Sequence, residues 1–502
     1  MTDNQFTRRD WITAVTSTLA AAGLQGCGES PAPSSSLAAQ SPFAGKPKSD
    51  RPNIVIFLSD TLRADHLSCY GYTPQTSQIV DEFAREGVLF ERCTSGSTWT
   101  KPSISTLFTG VPARVHQSVI AEGGAQSMIE LEAYRVQVLR DEFQTLASTL
   151  KLLGYKTAHF VGNAHCRPEF GYGRGFDHVV FDPVYYVGQQ ISDAFNWISK
   201  NAHEPFFVVI HQIDPHGPYT PPDAFFFELH GVTKEEAAQE MATTEAENMQ
   251  RFLESYGNPA ARAAVAKISP EANRYLTMLY DAEIHAVNVH FRRLINRLKR
   301  MGVFDHTVVA FTSDHGEGFD EHGFYGHAPS LAYQELVHVP LIMGGGGLPA
   351  GVRIPHSVSM IDLYPTLIEL AGGTSPDYVT GSPMISRSGE VLVNADRIAF
   401  TDLDHRNADQ SKWDASVIDG RYKVASRRRK NEHWIFDLFT DPGEKQNLSN
   451  SGALSAEKER SLIATLNTQI ERYETLREQF GEPVWMEASD TAQEELQALG
   501  YI

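Results

Sequence analysis

The stretch "NIVIFLSDTLRAD", Asn53 to Asp65, decides the fold. Its first six residues form a nearly continuous apolar run rich in β-branched side chains, the pattern of a strand buried on both faces of a parallel sheet. A carboxylate, Asp60, follows as the run turns into a polar loop. The same arrangement recurs three times: "KTAHFV" (Lys156 to Val161) runs into "GNAH", "PFFVVI" (Pro205 to Ile210) into "HQIDPHGPY", and "HTVVAFT" (His306 to Thr312) into "SDHGEGFDEHG". Helical stretches ended by Gly lie between them, such as "LASTLKLLG" from Leu146 and "HFRRLINRLKRMG" from His290. The class is α/β, doubly wound. Ligands of open parallel sheets sit beyond the carboxyl ends of the strands, so the four loops are expected to converge on one edge. Asp60, Asn163, His165, His211, Asp214, His216, Asp314 and His315 then share a single site.

A fifth segment, "TSGSTWTKPSISTLFTG" (Thr94 to Gly110), is a polar loop running into a short helix opened by Pro102. Thr100 there is either a helix cap or a nucleophile. Asp60, Asp314 and His315 offer the mixed oxygen and nitrogen donors of a divalent cation site, suited to zinc, manganese, magnesium or calcium, with Thr100 as the natural fourth ligand. A cation-bound hydroxyl loses its proton more readily and becomes a nucleophile at neutral pH. Asp214 with His211, Asn163 and His165 are candidates for a second metal or for substrate contacts; one metal is favoured, two are the alternative. His216 and His327 are expected either to donate hydrogen bonds to a non-bridging oxygen of the substrate or to join Asp214 as ligands of a second metal. Asp65 and His66 are expected to fix the first loop.

The formal net charge of −19 argues against nucleic acid as a partner, and 41% hydrophobic residues in 502 can bury a large core. At the N-terminus, Arg8 and Arg9 precede a mildly apolar run from Ala14 to Leu24 and then "LQGC", ending at Cys27. That reads as a Tat-type signal peptide over 1–27, with a lipobox that would lipidate Cys27 and tether the exported protein in the periplasm or at the membrane. The Pro-, Ser- and Ala-rich residues 28–50 read as a disordered tether. Without Cys27, Cys69, Cys93 and Cys166 are too few for a disulfide framework. A catalytic domain is expected over 51–375, with a Glu- and Ala-rich helical insertion over about 222–273. A smaller antiparallel α+β subdomain is expected over 376–502, from "RYKVAS", "WIFDLFTDPGEKQNL" and a terminal helix.

Taken in order, "NIVIFLSDTLRADHLSCYGY", "TKPSISTLFTG", "GYKTAHFVGNAH", "VVIHQIDPHGPYTPP", "TVVAFTSDHGEGFDEHGFYGH" and "DLYPTLIELAG" resemble the sulfatase family of the alkaline phosphatase superfamily. The resemblance implies an alkaline-phosphatase-like fold with a large, mostly parallel sheet flanked by helices, and a metal-dependent ester hydrolase. Sulfatases carry Cys or Ser followed by x-Pro-Ser-Arg, the first residue being oxidised to formylglycine. This chain has Thr100, Lys101, Pro102, Ser103 and Ile104 in those places. Thr61 stands where the family has a further metal Asp, and Asn163 and His327 where it has lysines.

These departures have a chemical direction. The sulfated formylglycine hydrate collapses by expelling sulfate, whereas an ester of Thr100 must be attacked by water at its central atom, which phosphorus readily supports. The reading is therefore an exported hydrolase of small anionic esters, acting on phosphodiester, related phosphoester or phosphonate ester bonds. The alternatives are a sulfuric ester hydrolase without formylglycine, a phosphoethanolamine-type transferase, and a substrate-binding pseudoenzyme.

Overall fold

The computed structural model describes residues 51–119, 121–122, 135–183, 185–238, 268–327, 332–403 and 413–498. The expected leader, Cys27 and tether lie outside the described residues, as does the middle of the 222–273 insertion.

The large sheet has eight strands: β1 Asn53–Ser59, β2 Val88–Thr94, β3 Lys156–Val161, β4 His178–Phe181, β5 Phe206–Gln212, β6 Thr307–Ser313, β7 His338–Gly344 and β8 Val352–Ser359. Their spatial order is β8-β2-β7-β6-β1-β5-β3-β4. Only β7 runs against its neighbours β2 and β6; every other pairing is parallel. The four apolar runs thus form the contiguous parallel block β6-β1-β5-β3, in agreement with their double-faced hydrophobicity.

Strand periodicity splits the core. Ile54, Ile56 and Leu58 of β1 face one layer with the helices Thr100–Thr109, Leu146–Leu152 and Leu363–Leu370. Val55 and Phe57 face the other layer, with Gln78–Arg85, Val187–Asn201 and Pro270–Arg300. All five residues are at most 1% exposed, so both faces are fully covered, as a doubly wound sheet requires.

In the C-terminal region, β9 Ile398–Leu403, β10 Asp414–Asp419, β11 Tyr422–Arg427 and β12 Glu432–Asp437 form an antiparallel sheet in sequence order. The helix Ala456–Arg477 lays Leu462, Leu466 and Ile470 on Val417, Val424 and Ile435. This unit is tied to the turn after the Thr100 helix, where Arg114 and Asp402 form a buried ion pair, with Arg114 Nε donating to Asp402 at 2.7 Å. Beyond it, Trp485–Glu487 pairs with Arg135–Gln137, and Ala492 and Leu496 return to the core of the large unit. The described part of the 222–273 stretch before the long helix holds two short helices, Asp223–His230 and Lys234–Ala238. Among the described residues no helix is long and apolar enough to cross a membrane. Cys69, Cys93 and Cys166 are free thiols.

Candidate active site

Strand register places the site. Ser59, the last residue of β1, lies level with Gln212 of β5 on one side and Ser313 of β6 on the other. The next residues, Asp60 and Asp314, therefore leave the sheet together at the edge where the connections from β1 diverge to its two flanks. Asp60 N–H donates to Gln212 O at 3.1 Å and Leu62 N–H to Ser313 Oγ at 2.9 Å, which pins the first loop across the strand ends.

Asp60, Asp314 and His315 are buried, with donor atoms all within 4.8 Å of one another. His315 Nδ1 donates to Gly316 O at 2.8 Å, so its Nε2 presents a lone pair 3.6 Å from Asp60 Oδ1 and from Asp314 Oδ2. Asp314 Oδ1 accepts from the N–H groups of Thr61 (3.2 Å) and His315 (2.9 Å), while Oδ2 is buried with no hydrogen-bond partner among the described residues. Burial pushes the Asp314 carboxyl upward despite the neighbouring His315. Two close carboxylates, an orphaned buried oxygen and an imidazole lone pair aimed at them fit a divalent cation.

Thr100 does not cap its helix. The helix Thr100–Thr109 begins at Thr100 itself; the capping position falls to Trp99, which supplies no side-chain hydrogen bond. This removes the helix-cap alternative for Thr100 and corrects the helix start from Pro102 to Thr100. The Thr100 hydroxyl instead lies 3.3 Å from His315 Nε2 and 3.5 Å from Asn163 Nδ2. Asn163 also donates to Asp60 Oδ2 at 2.5 Å and accepts from His165 N–H at 2.8 Å, an arrangement that turns its NH₂ group toward Thr100. Thr61 holds a left-handed φ of 56°, rare for a β-branched residue, and Tyr280 Oη secures it by donating to the Thr61 carbonyl at 2.7 Å.

The remaining candidates divide. The His327 ring sits 4.4 Å from that of His315 and 5.0 Å from that of His216, so both expected donors reach the site. His216 Nδ1 donates to Gly217 O at 2.6 Å. His211 is buried behind His315 and stacked at 6.5 Å on His159; burial holds it well below the ordinary imidazole range and keeps it neutral. His165 packs edge-on to Trp99 at 5.4 Å. The Asp214 carbonyl accepts from Ser59 Oγ at 2.6 Å. Among the described residues Asp60, Asp314 and His315 are the only three His, Cys, Asp or Glu side chains set close enough together to hold a metal ion. Asp65 pairs with Arg63 and His66 with Asp281, both securing the first loop.

Sequence reasoning missed Glu317. It is fully buried, accepts from His327 Nδ1 at 2.9 Å through one oxygen and from Tyr219 Oη at 3.0 Å through the other. Its signal was a carboxylate two residues past His315, hidden among the acidic residues of "SDHGEGFDEHG". Lys101, next to the nucleophile candidate, was also passed over. Its ammonium group is buried 5.1 Å over the Phe170 ring, and burial lowers it to about 7.

The Sulfatase family model matches residues 52–373, and the N-sulphoglucosamine sulphohydrolase C-terminal model matches 320–475. The chain belongs to the sulfatase family. This sulfatase-family chain is 22% identical to the N-acetylglucosamine-6-O-sulfatase of Bacteroides thetaiotaomicron, over 85% of its own length and 88% of the relative's. Its fold matches a structure solved with the substrate D-glucosamine-2-N,6-O-disulfate (TM-score 0.66, 20% identity, 85% of this chain and 98% of that one). It also matches the phosphonate monoester hydrolase of Agrobacterium radiobacter (TM-score 0.64, 19% identity, 84% and 96%). The chain is thus an ester hydrolase of a family that uses a divalent metal.

Proposed function

We propose that Thr100 attacks phosphorus in a phosphodiester, a related phosphoester or a phosphonate ester. The observation that carries this reading is the Thr100 hydroxyl, free of any capping duty and set between His315 Nε2 and Asn163 Nδ2 at the cation-fitting group. A divalent cation held by Asp60, Asp314, His315 and Thr100 would act as a Lewis acid, neutralising the carboxylates and easing loss of the hydroxyl proton.

The chain's own residues supply the rest. Asn163 orients Thr100 Oγ1 by donating to it. As the Oγ1–phosphorus bond forms, the bond from phosphorus to the leaving oxygen breaks. With Nδ1 donating to Gly217 O and Glu317 respectively, His216 and His327 would serve as imidazolium ions, each donating Nε2–H to the non-bridging or leaving oxygen; one of them gives its proton to the leaving oxygen while the Thr100 hydroxyl proton passes to solvent water. Water then attacks phosphorus and releases Thr100, since a threonine ester has no aldehyde to collapse to.

Initial rates on an aryl phosphodiester, an aryl phosphomonoester and an aryl sulfate, across divalent metals and with Thr100→Ala alongside, test the proposal. Phosphoester turnover abolished in Thr100→Ala is the expected outcome. Dominant sulfate turnover would instead make the chain a sulfuric ester hydrolase. Transfer to an added alcohol in place of hydrolysis would mark a transferase, and stoichiometric binding without turnover a pseudoenzyme. The leader read at Arg8, Arg9 and Cys27 supports an exported lipoprotein, and Cys27→Ser should move the protein from the membrane fraction to the soluble one.

A further inference from the structure

The loops after β1 and β6 are joined through backbone groups. Thr61 N–H donates to Asp314 Oδ1 at 3.2 Å and Leu62 N–H to Ser313 Oγ at 2.9 Å, while Ser313 Oγ donates to His315 O at 2.8 Å. In an extended chain successive N–H groups point to opposite sides; the left-handed turn at Thr61 lets both face the second loop. That conformation is costly for a β-branched residue. Asn and Asp tolerate it through local side-chain hydrogen bonds, but the Thr61 hydroxyl is buried with no hydrogen-bond partner among the described residues. The offsetting contacts come from a helix instead. Tyr280 Oη, on a side chain 0% exposed, donates to Thr61 O at 2.7 Å and accepts from Arg63 N–H at 3.0 Å, so one hydroxyl spans Leu62 and closes the turn.

We infer that Tyr280 is a positioning residue of the cation-fitting group, holding Thr61 left-handed so that Asp60 and Asp314 stand in place before the ion arrives. Such a role rests on the cation assignment above and is independent of which ester is cleaved. Asp60 is fixed on its N-terminal side by the sheet, where its N–H meets Gln212 O. On its other side the Thr61 turn sets the path of the chain. Relaxation of that turn would carry the Thr61 N–H away from Asp314 or the Leu62 N–H away from Ser313, parting the two loops. The ion would then bind the fraction of molecules in which the turn is formed, and its apparent affinity would fall by that fraction. Tyr280 lies on the long helix Pro270–Arg300, in the layer opposite to the helix of Thr100. Nucleophile and loop brace thus reach the strand ends from opposite faces of the sheet. The same helix holds a third loop, since Glu283 accepts from Thr220 N–H at 2.6 Å, just past His216. The Tyr280 ring packs on Phe319 at 4.9 Å and on Tyr219 at 5.7 Å, contacts that Tyr280→Phe retains.

A double substitution separates this role from ordinary packing. Manganese(II) would be titrated into the metal-free full chain, with free ion read by electron paramagnetic resonance and folding by circular dichroism. Tyr280→Phe is expected to weaken manganese binding by at least about 10-fold. Glycine adopts a positive φ readily, so in a Thr61→Gly background the same substitution should cost no more than about 3-fold. Equal costs in the two backgrounds, or unchanged affinity in Tyr280→Phe, overturn the inference. Should Tyr280→Phe fail to fold, Thr61→Val with Tyr280 in place decides, because it keeps the branched Cβ and drops the hydroxyl alone. Affinity within about 3-fold of the unsubstituted chain is then expected. A loss of about 10-fold or more would make the Thr61 hydroxyl, and not its turn, the group the ion needs, which overturns the inference. No manganese bound by the unsubstituted chain overturns the cation assignment and this role with it. Phosphoester turnover absent while the coupling between Tyr280 and Thr61 holds sinks the reaction proposed above and leaves the role of Tyr280 standing.

Discussion

The floor of the site and its rim are built on different principles. On the floor, Asp60, Asp314 and His315 follow directly from paired parallel strands, and their positions are set by backbone register. On the rim, His216 and His327 sit on loops, and the His327 loop is held by side chains from elsewhere. His322 Nδ1 meets Glu335 at 2.6 Å and stacks on Tyr333 at 3.6 Å. Lys423 of the C-terminal sheet pairs with Glu444 at 2.8 Å, and Glu444 in turn accepts from Gln334 N–H at 2.5 Å. The floor is thus a property of the sheet, whereas the rim depends on the smaller unit packed beside it.

The sharpest break in that contrast is expected from Asp314→Ala. It should abolish stoichiometric metal, read by elemental analysis, and lower turnover by at least about 10⁴-fold. His327→Ala should cost roughly 10²–10³-fold in kcat with metal content unchanged; loss of metal would merge rim and floor into one unit. Glu335→Gln loosens the brace on His322 without touching the site, and a fall in kcat of about 3–10-fold at constant metal content is expected.

A last effect, on stability and not on turnover, lies beneath the floor. His159 is wholly buried between Phe108 and Phe176, neither ring nitrogen makes a well-formed hydrogen bond among the described residues, and burial lowers it to about 3. Its folded value is depressed, so the unfolded chain binds more protons between about 6.5 and 3, and stability falls as pH drops through that window. His159→Phe should remove on the order of 2 kcal/mol of this loss at pH 5 and little at pH 8, read as Tm at the two pH values. His116, lowered to about 3 by burial, keeps the remaining slope in the same direction.

Most of the floor was legible in the sequence because it combines apolar strand runs with polar residues at their ends. Each of the four runs is a strand, and Asp60, Asn163, Asp314 and His315, which follow three of them, meet at the strand ends. Thr100 was legible by residue type and position, but its exclusion from capping was not, since that depends on where the helix starts. Glu317 was invisible for a related reason. A carboxylate among Asp314, Asp320 and Glu321 has no spacing that marks it as the partner of His327, and only the return of the loop from Phe319 through the antiparallel pair with Tyr325 brings the two together. The rim's dependence on Lys423 and Glu444 spans about a hundred residues and leaves no local pattern.

The hydrogen bond from Thr61 N–H to Asp314 joins residues 253 apart, and β2 gains its outer neighbour only when β8 is in place. A growing chain therefore exposes Asp60 long before Asp314 and His315 exist, and the three-residue group closes only after the sheet has assembled. A cation that needs all three ligands therefore meets a complete site only after the sheet has assembled. For a chain exported already folded through the leader proposed at Arg8 and Arg9, the three ligands would be assembled before export and open to a cation in the compartment in which the protein is made.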